Sequence, residues 1–445
     1  MNRRLIHNAD IVTGTGDRFA GYVLIDGETI AAVAPGKPGT ALFENAEVTD
    51  ARGCLLLPGA IDCHVHFREP GLTQKATIAS ESRAAVAGGV TSFIDMPNTV
   101  PQTTTSALAD DKAAIAARDS VANYAFFIGA TNDNIDELLA ADYSRVAGVK
   151  LFMGSSTGNM LVDRQSALDK LFSRVKARIV VHAEDEATVR ANAEAIRAEY
   201  GDEAPVSLHT RLRSAEACYK ASKAAVDLAR HTGARLHIAH LSTARELELL
   251  TPGPTTADKQ ITAEVSPHHL LWTEDDYADR GARIKMNPAV KTAADRRALV
   301  EAVRNGLIDI IATDHAPHRP ADKEGSLFKA ASGAPMVEFS LIAALSLFTP
   351  EVVAERMAAA PARLFAIDRR GSIAPGNYAD LVLVDPHSPH TVKDSDVTSL
   401  CGWTPVDGLT FRHRVIKTWV NGNLCFDNGV IKDDKRGKAL SFSRI

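Results

Sequence analysis

Between residues 55 and 313, short apolar runs alternate with stretches whose apolar positions return every three or four residues. The runs cover 55–63, 91–96, 124–128, 148–152, 179–182, 236–240, 262–265 and 308–313. Each is short and bounded by turn residues, the signature of a buried strand. Helical periodicity fills most of the gaps, at 78–87, 107–117, 166–175, 184–199, 215–231 and 293–305. Eight strands alternating with helices predict an α/β chain folded as a (β/α)8 TIM barrel.

The two ends read differently. Residues 9–12, 21–27 and 30–34 are short strand-like runs between turns, and 378–384, 415–420 and 424–426 repeat that texture, the last two joined by the hairpin pair Asn421-Gly422. Both ends are expected to build one small β-sandwich module. The predicted division is 1–54 and 366–445 for the two parts of that module and 55–365 for the barrel, with the charged stretch 433–445 as an arm or tail.

In such barrels the C-terminal ends of the strands converge on one mouth, so the residues that end them carry the chemistry. The first run ends in His64-Val65-His66, the fourth holds Lys150, the fifth ends in His182, the sixth in His240, and the eighth leads to Asp314. Two histidines separated by one residue on a strand share a face, about 6 to 7 Å apart, and can share a metal ion. By the same parity Cys63 is expected on the opposite face from the histidine pair, and so is His237 relative to His240, which makes His237 structural. Lys150 alone reads as a snorkelling side chain. Buried, however, a lysine loses its proton readily, and the neutral amine can add carbon dioxide to become a carbamate, an anion with two oxygens able to bridge two metals. A carboxylate after the apolar run ending at Thr313 is costly unless it is paired or metal-bound, which makes Asp314 both a ligand and a proton carrier. The expected chemistry is hydrolysis at a binuclear centre: two divalent ions hold a bridging hydroxide and polarise a carbonyl while Asp314 moves a proton. Histidine nitrogens favour zinc.

Charge and composition narrow the partners. A net charge of −5 without a basic stripe argues against nucleic acid and anionic membranes. No apolar run approaches a membrane span and the first residues lack a signal-type apolar core, so the chain is read as cytoplasmic. Its five scattered cysteines are read as reduced packing residues. The expected partners are a small-molecule substrate and, in a homo-oligomer, further copies of the chain.

The segments Asp62-Cys63-His64-Val65-His66-Phe67-Arg68-Glu69-Pro70-Gly71, Asp95-Met96-Pro97-Asn98-Thr99, Lys150-Leu151-Phe152-Met153, Glu264-Val265-Ser266-Pro267-His268-His269-Leu270 and Thr313-Asp314-His315-Ala316-Pro317-His318 together resemble the amidohydrolase superfamily of cyclic-amide hydrolases, and within it the dihydroorotase family. The resemblance implies that His64, His66, carbamylated Lys150 and Asp314 hold one zinc, and Lys150, His182 and His240 the other. It implies reversible conversion of L-dihydroorotate to N-carbamoyl-L-aspartate in pyrimidine biosynthesis. Arg68, a planar fork suited to a carboxylate, would bind the substrate's carboxylate with Asn98 and His318, and Asn287 would touch the ring. Family members acting on hydantoins, dihydropyrimidines or allantoin have less need of that arginine and form the alternative. Two other readings compete: a serine hydrolase, from the Gly-x-Ser-x-Gly match at 154–158, and a non-catalytic barrel. The former leaves the convergent ligands unexplained, and the stretch is better read as a loop, 154–160, closing over substrate. Met336 departs from the glycine-rich turn of many relatives.

Overall fold

The computed structural model describes residues 3–154 and 160–443. The apolar run at 55–63 is two strands. Leu55–Pro58 lies parallel to Arg3–Val12 and antiparallel to Leu381–Asp385, inside the sheet made by the chain ends. After Gly59 the chain turns into Ala60–Val65, the first barrel strand, parallel to Val90–Asp95. A Cβ on Gly59 would stand 2.3 Å from Thr91 Cγ2, so only glycine fits this crossing. Both halves of the run are buried, which is why the apolar pattern carries no mark of the break.

The barrel continues through Asn123–Phe126, extended by Ile128–Gly129, then Val149–Met153, Ile179–Ala183, Leu236–Ile238, Ile261–Val265 and Ile310–Ile311. A parallel bridge between Val65 and His315, with His66 N–H donating to His315 O (2.8 Å), brings the eighth strand back to the first. Alternation sorts the side chains. Ile61, Ile94, Ala125, Val180, Ala239 and Ile310 fill the interior with Phe365, while Phe93, Leu151, Val181, Ile238 and Val265 pack beneath the outer helices. Those helices carry the expected end signals: Thr77 Oγ1 accepts from Ser80 N–H at the start of Ile78–Ala87 (3.0 Å), and Gly233, at φ +76°, closes Ala215–Thr232.

Parity fails at two places. The pairing register of the first strand shifts between Asp62 and Val65, so Cys63, expected to face away from the histidines, packs in the interior cluster. The sixth strand ends at Ile238, and His240 adopts φ +35°. That turn lets His240 reach the mouth although His237 also points inward, donating to and accepting from Glu264 and Thr262 (3.1 and 2.9 Å). His237 is structural, but not because it faces the other way.

The chain ends form one nine-stranded sheet. Ile11, Ile25, Leu56, Leu381, Leu383 and Trp419 pack into its own core, and the alternate residues Leu55, Leu57, Val382 and Val384 join the barrel's. Asn421 and Gly422 both take positive φ, as a tight two-residue hairpin requires. The stretch 433–443, expected as an arm, instead crosses the barrel floor. Tyr124 N–H donates to Lys438 O (3.0 Å), Leu440 N–H to Tyr124 O (2.8 Å), and Leu440 and Phe442 enter the interior cluster. Their apolar spacing is masked by the charges around them.

A buried polar network fastens sheet to barrel. Arg370 pairs with Asp380 and donates to Asn421 Oδ1 (2.9 Å); Asn421 N–H donates to Asp380 Oδ1 (2.7 Å), and Asn421 Nδ2 to Asn123 Oδ1 (2.7 Å) at the root of the third barrel strand. Arg370→Met would strand the Asp380 carboxylate and is expected to destabilise the fold by about 3–5 kcal/mol, measurable by denaturant unfolding.

Candidate active site

All ten residues singled out from the sequence line one cavity of about 490 Å³ at the barrel mouth. His64 and His66, at the end of the first strand, have ring centroids 5.5 Å apart. Asp314 Oδ1 lies 3.1 Å from His66 Nε2 and 3.4 Å from His64 Nε2, and donor atoms of the three residues fall within 4.8 Å of one another. The far side of each ring is already engaged: His64 Nδ1 on Glu264 Oε1, His66 Nδ1 on Asn98 Oδ1 (2.7 Å). The remaining nitrogen of each ring is thereby turned toward Asp314.

His182 and His240 make the second half. His182 Nδ1 stands 3.0 Å from His240 Nε2, while His182 Nε2–H donates to Glu184 Oε2 (3.0 Å), itself paired with Arg213 (2.6 Å). The His64 and His240 rings, 5.2 Å apart, connect the two halves. Lys150 lies among them. Its Nζ is fully buried with no hydrogen-bond partner among the described residues, and burial pushes the ammonium down to about 8 against the opposing pull of Glu264 and Asp314. Burial also lowers His64 and His240, the direction that favours metal ligation. Burial would raise Asp314, but His64, His66 and His240 outweigh it and hold the carboxylate well below its usual range.

At the other end of the cavity sits Arg68. Burial lowers its guanidinium to about 10, and among the described residues it forms no ion pair; Nε donates to Pro317 O (3.0 Å) and Nη2 lies 3.1 Å from His318 Nε2. Lys75 Nζ donates to His318 Nδ1 (3.0 Å). Asn287 completes this wall, its Oδ1 accepting from His209 Nε2 (3.1 Å). Arg68, His240 and Asp314 are all left-handed, at φ +67°, +35° and +50°. Such backbone is costly outside glycine and persists where the surroundings over-determine it, most often at functional sites.

Several supporting residues escape a reading of strand ends. Glu264 contacts His64, His237 and the His240 amide (3.3 Å), and His64 and His237 hold it ionised despite its burial. Asp62, raised by burial to about 7, accepts from His64 N–H (3.2 Å), Thr313 N–H (3.0 Å) and Thr313 Oγ1 (2.5 Å), tying the first strand to the eighth. Asp95 accepts from Phe67 N–H (2.7 Å) and pairs with buried Lys112 (2.5 Å), which donates to Met96 O (2.8 Å), so it braces the loops of Arg68 and Asn98 together. The available signal was a charged residue inside an apolar run, the same signal that marked Asp314. The Gly-x-Ser-x-Gly match at 154–158 and the expected closing loop at 154–160 fall, all but their end residues 154 and 160, on residues 155–159, outside the described residues.

The amidohydrolase family model matches residues 55–425, and the chain belongs to that family. It is a metal-dependent cyclic amidohydrolase, of a family that generally uses a binuclear metal centre. A dihydroorotase of Halobacterium salinarum is 38% identical over 87% of this chain and 89% of its own length. An allantoinase of Rubrobacter xylanophilus is 33% identical over 98% and 96%. Among solved structures, the L-hydantoinase (dihydropyrimidinase) of Arthrobacter aurescens superposes with a TM-score of 0.91 at 26% identity, covering 99% of this chain and 100% of that one. No helix among the described residues is long and apolar enough to cross a membrane.

Residues that orient a metal-ligating imidazole typically alter metal affinity 10–100-fold when replaced. Glu264→Gln is therefore expected to weaken retention of divalent metal by about that factor, read as metal content after graded chelation.

Proposed function

We propose that the chain is a dihydroorotase, catalysing the reversible hydrolysis of L-dihydroorotate to N-carbamoyl-L-aspartate in pyrimidine biosynthesis. The observation that carries this reading is Arg68: a buried guanidinium without a carboxylate partner among the described residues, beside His318 and across one cavity from the histidine cluster. Burying an unpaired cation is expensive unless a ligand completes it. A ring substrate bearing a carboxylate does so, and hydantoin, dihydrouracil and allantoin do not. The dihydroorotase relatives support the same choice.

The donor set suits a binuclear centre. His64, His66, Asp314 and Lys150 would hold one ion and Lys150, His182 and His240 the other, with Lys150 as a carbamate. The buried Nζ, without a hydrogen-bond partner among the described residues and already inclined to lose its proton, is the kind of amine that carbon dioxide captures. Two divalent ions there, zinc by ligand preference, would supply an acidified water and a Lewis acid for the carbonyl. The protein's own groups do the rest. Arg68 and His318 hold the carboxylate, Asn98 sets His66 and borders the carboxylate, and Asn287 orients the ring. Asp314 accepts a proton as water adds to the ring carbonyl and returns it to the amide nitrogen as the C–N bond breaks, leaving a ureido group and a carboxylic acid that ionises by losing its proton to solvent.

Charge-assisted hydrogen bonds contribute about 1.5–3 kcal/mol each, so Arg68→Met should raise KM for dihydroorotate by roughly 10–100-fold with metal content unchanged. The test is a steady-state panel of dihydroorotate, hydantoin, dihydrouracil and allantoin on the metal-replete enzyme and this variant; faster turnover of an uncharged ring, indifferent to Arg68, would point to a hydantoinase or allantoinase instead. Lys150→Ala should lose turnover and bound metal together. Isotope-labelled bicarbonate should give a carbamate signal in the carbon NMR spectrum of the unaltered enzyme that this variant lacks.

A further inference from the structure

Residues 398–403 lie in an excursion between the short antiparallel strands His390–Thr391 and Thr410–Phe411, far along the chain from every residue of the site. They nevertheless reach its back wall. Ser399 Oγ donates to Glu81 Oε2 (2.6 Å), Leu400 N–H to Glu81 Oε1 (3.1 Å), Thr398 N–H and Oγ1 to Glu338 (2.8 and 2.6 Å), and Trp403 Nε1–H to His318 O (2.7 Å).

Glu81 is the hub of these contacts. It is fully buried on the helix Ile78–Ala87, and its Oε2 also accepts from His315 Nε2 (2.7 Å). The tautomer of His315 is fixed from the other side, because its Nδ1 accepts from Met336 N–H (2.9 Å) and Val337 N–H (3.1 Å). The proton therefore sits on Nε2 and points at Glu81. His315 follows Asp314 directly, and its carbonyl receives His66 N–H. Its ring is thus clamped between Glu81 and the 336–337 backbone, while its own backbone carries Asp314 on one side and steadies His66 on the other. A left-handed aspartate relaxes unless something holds it, and this clamp bears on the residue next in the chain.

We propose that Glu81 is a positioning residue for the reaction, acting through His315 to hold Asp314, and that residues 398–403 extend the active site by fixing Glu81. The inference rests on Asp314 being the proton carrier. It does not rest on which ring is cleaved.

The test compares Glu81→Leu, Glu81→Gln and Ser399→Ala. Turnover is normalised to metal-loaded sites and measured on whichever of dihydroorotate, hydantoin, dihydrouracil or allantoin the unaltered enzyme processes fastest, so an error in the substrate assignment leaves the result readable. Misplacement of a reacting group by about 1 Å can cost roughly 100-fold. Glu81→Leu should lower kcat by about that factor with KM within about twofold. Glu81→Gln, which keeps an oxygen for His315 Nε2–H, should recover most of the rate, and Ser399→Ala should fall between. If Glu81→Leu does not fold, Ser399→Ala alone carries the test, with a fall in kcat at constant KM expected. Unchanged kcat per metal-loaded site, with only a lowered melting temperature, overturns the proposal and leaves Glu81 a stabilising residue alone.

Discussion

Neutral imidazoles at the mouth of an apolar barrel have to be kept in one tautomer and aimed, and in this chain that constraint is met by buried carboxylates standing behind the rings. Glu264 serves three elements at once: the ring of His64, the ring of His237 and the amide of His240. Glu184 does the same for His182, with Arg213 compensating its charge. Each carboxylate would be prohibitive to bury alone. Glu264 becomes affordable because the rings of His64 and His237 and the His240 amide surround it, Glu184 because His182 and the Arg213 guanidinium do. The polar core of the barrel is therefore a single cooperative unit, and the orientation of any one donor depends on groups several strands away.

Much of this was legible from the sequence for a simple reason. Strand ends on a parallel barrel converge, so His64, His66, Lys150, His182, His240 and Asp314 could be placed at one mouth from the order of apolar runs alone. What alternation could not supply was the behaviour of the chain once it leaves a strand. His240 lies beyond the end of its strand in left-handed backbone, and Cys63 follows a shift of register. Parity assigned both Cys63 and His237 to the wrong side. The break at Gly59 stayed hidden because burial on both sides of it leaves one continuous apolar run. The supporting carboxylates stayed hidden for a related reason: Glu264 and Asp62 sit inside strands that were read for their apolar content, and the partners that make them tolerable come from other strands.

The two ends of the cavity show opposite electrostatic designs. Around the histidines most donors and acceptors are matched within the protein; among the described residues Lys150 Nζ and Glu184 Oε1 have no hydrogen-bond partner. Around Arg68 the matching is deliberately incomplete: Arg68, Lys75 and Lys285 face carbonyls, a hydroxyl and a neutral imidazole, with Asp322 standing 3.9 Å from Lys75. One end is arranged to hold cations and the other to receive an anion. The distance between them is spanned by the loops that Asp95 and Lys112 brace, so the relative placement of the two ends is set by buried charge.

The stretch that crosses the barrel floor has a bearing on how the molecule is made. Leu440 and Phe442 complete an interior whose other members, Ile61 and Ile94 among them, are synthesised several hundred residues earlier. During translation the early strands must wait with part of their inner surface unsealed, because the residues that close the bottom are made after every barrel strand. The floor is thus finished only after every residue of the mouth has been made, and a chain cut short before residue 440 would carry every proposed ligand while lacking the plug beneath them.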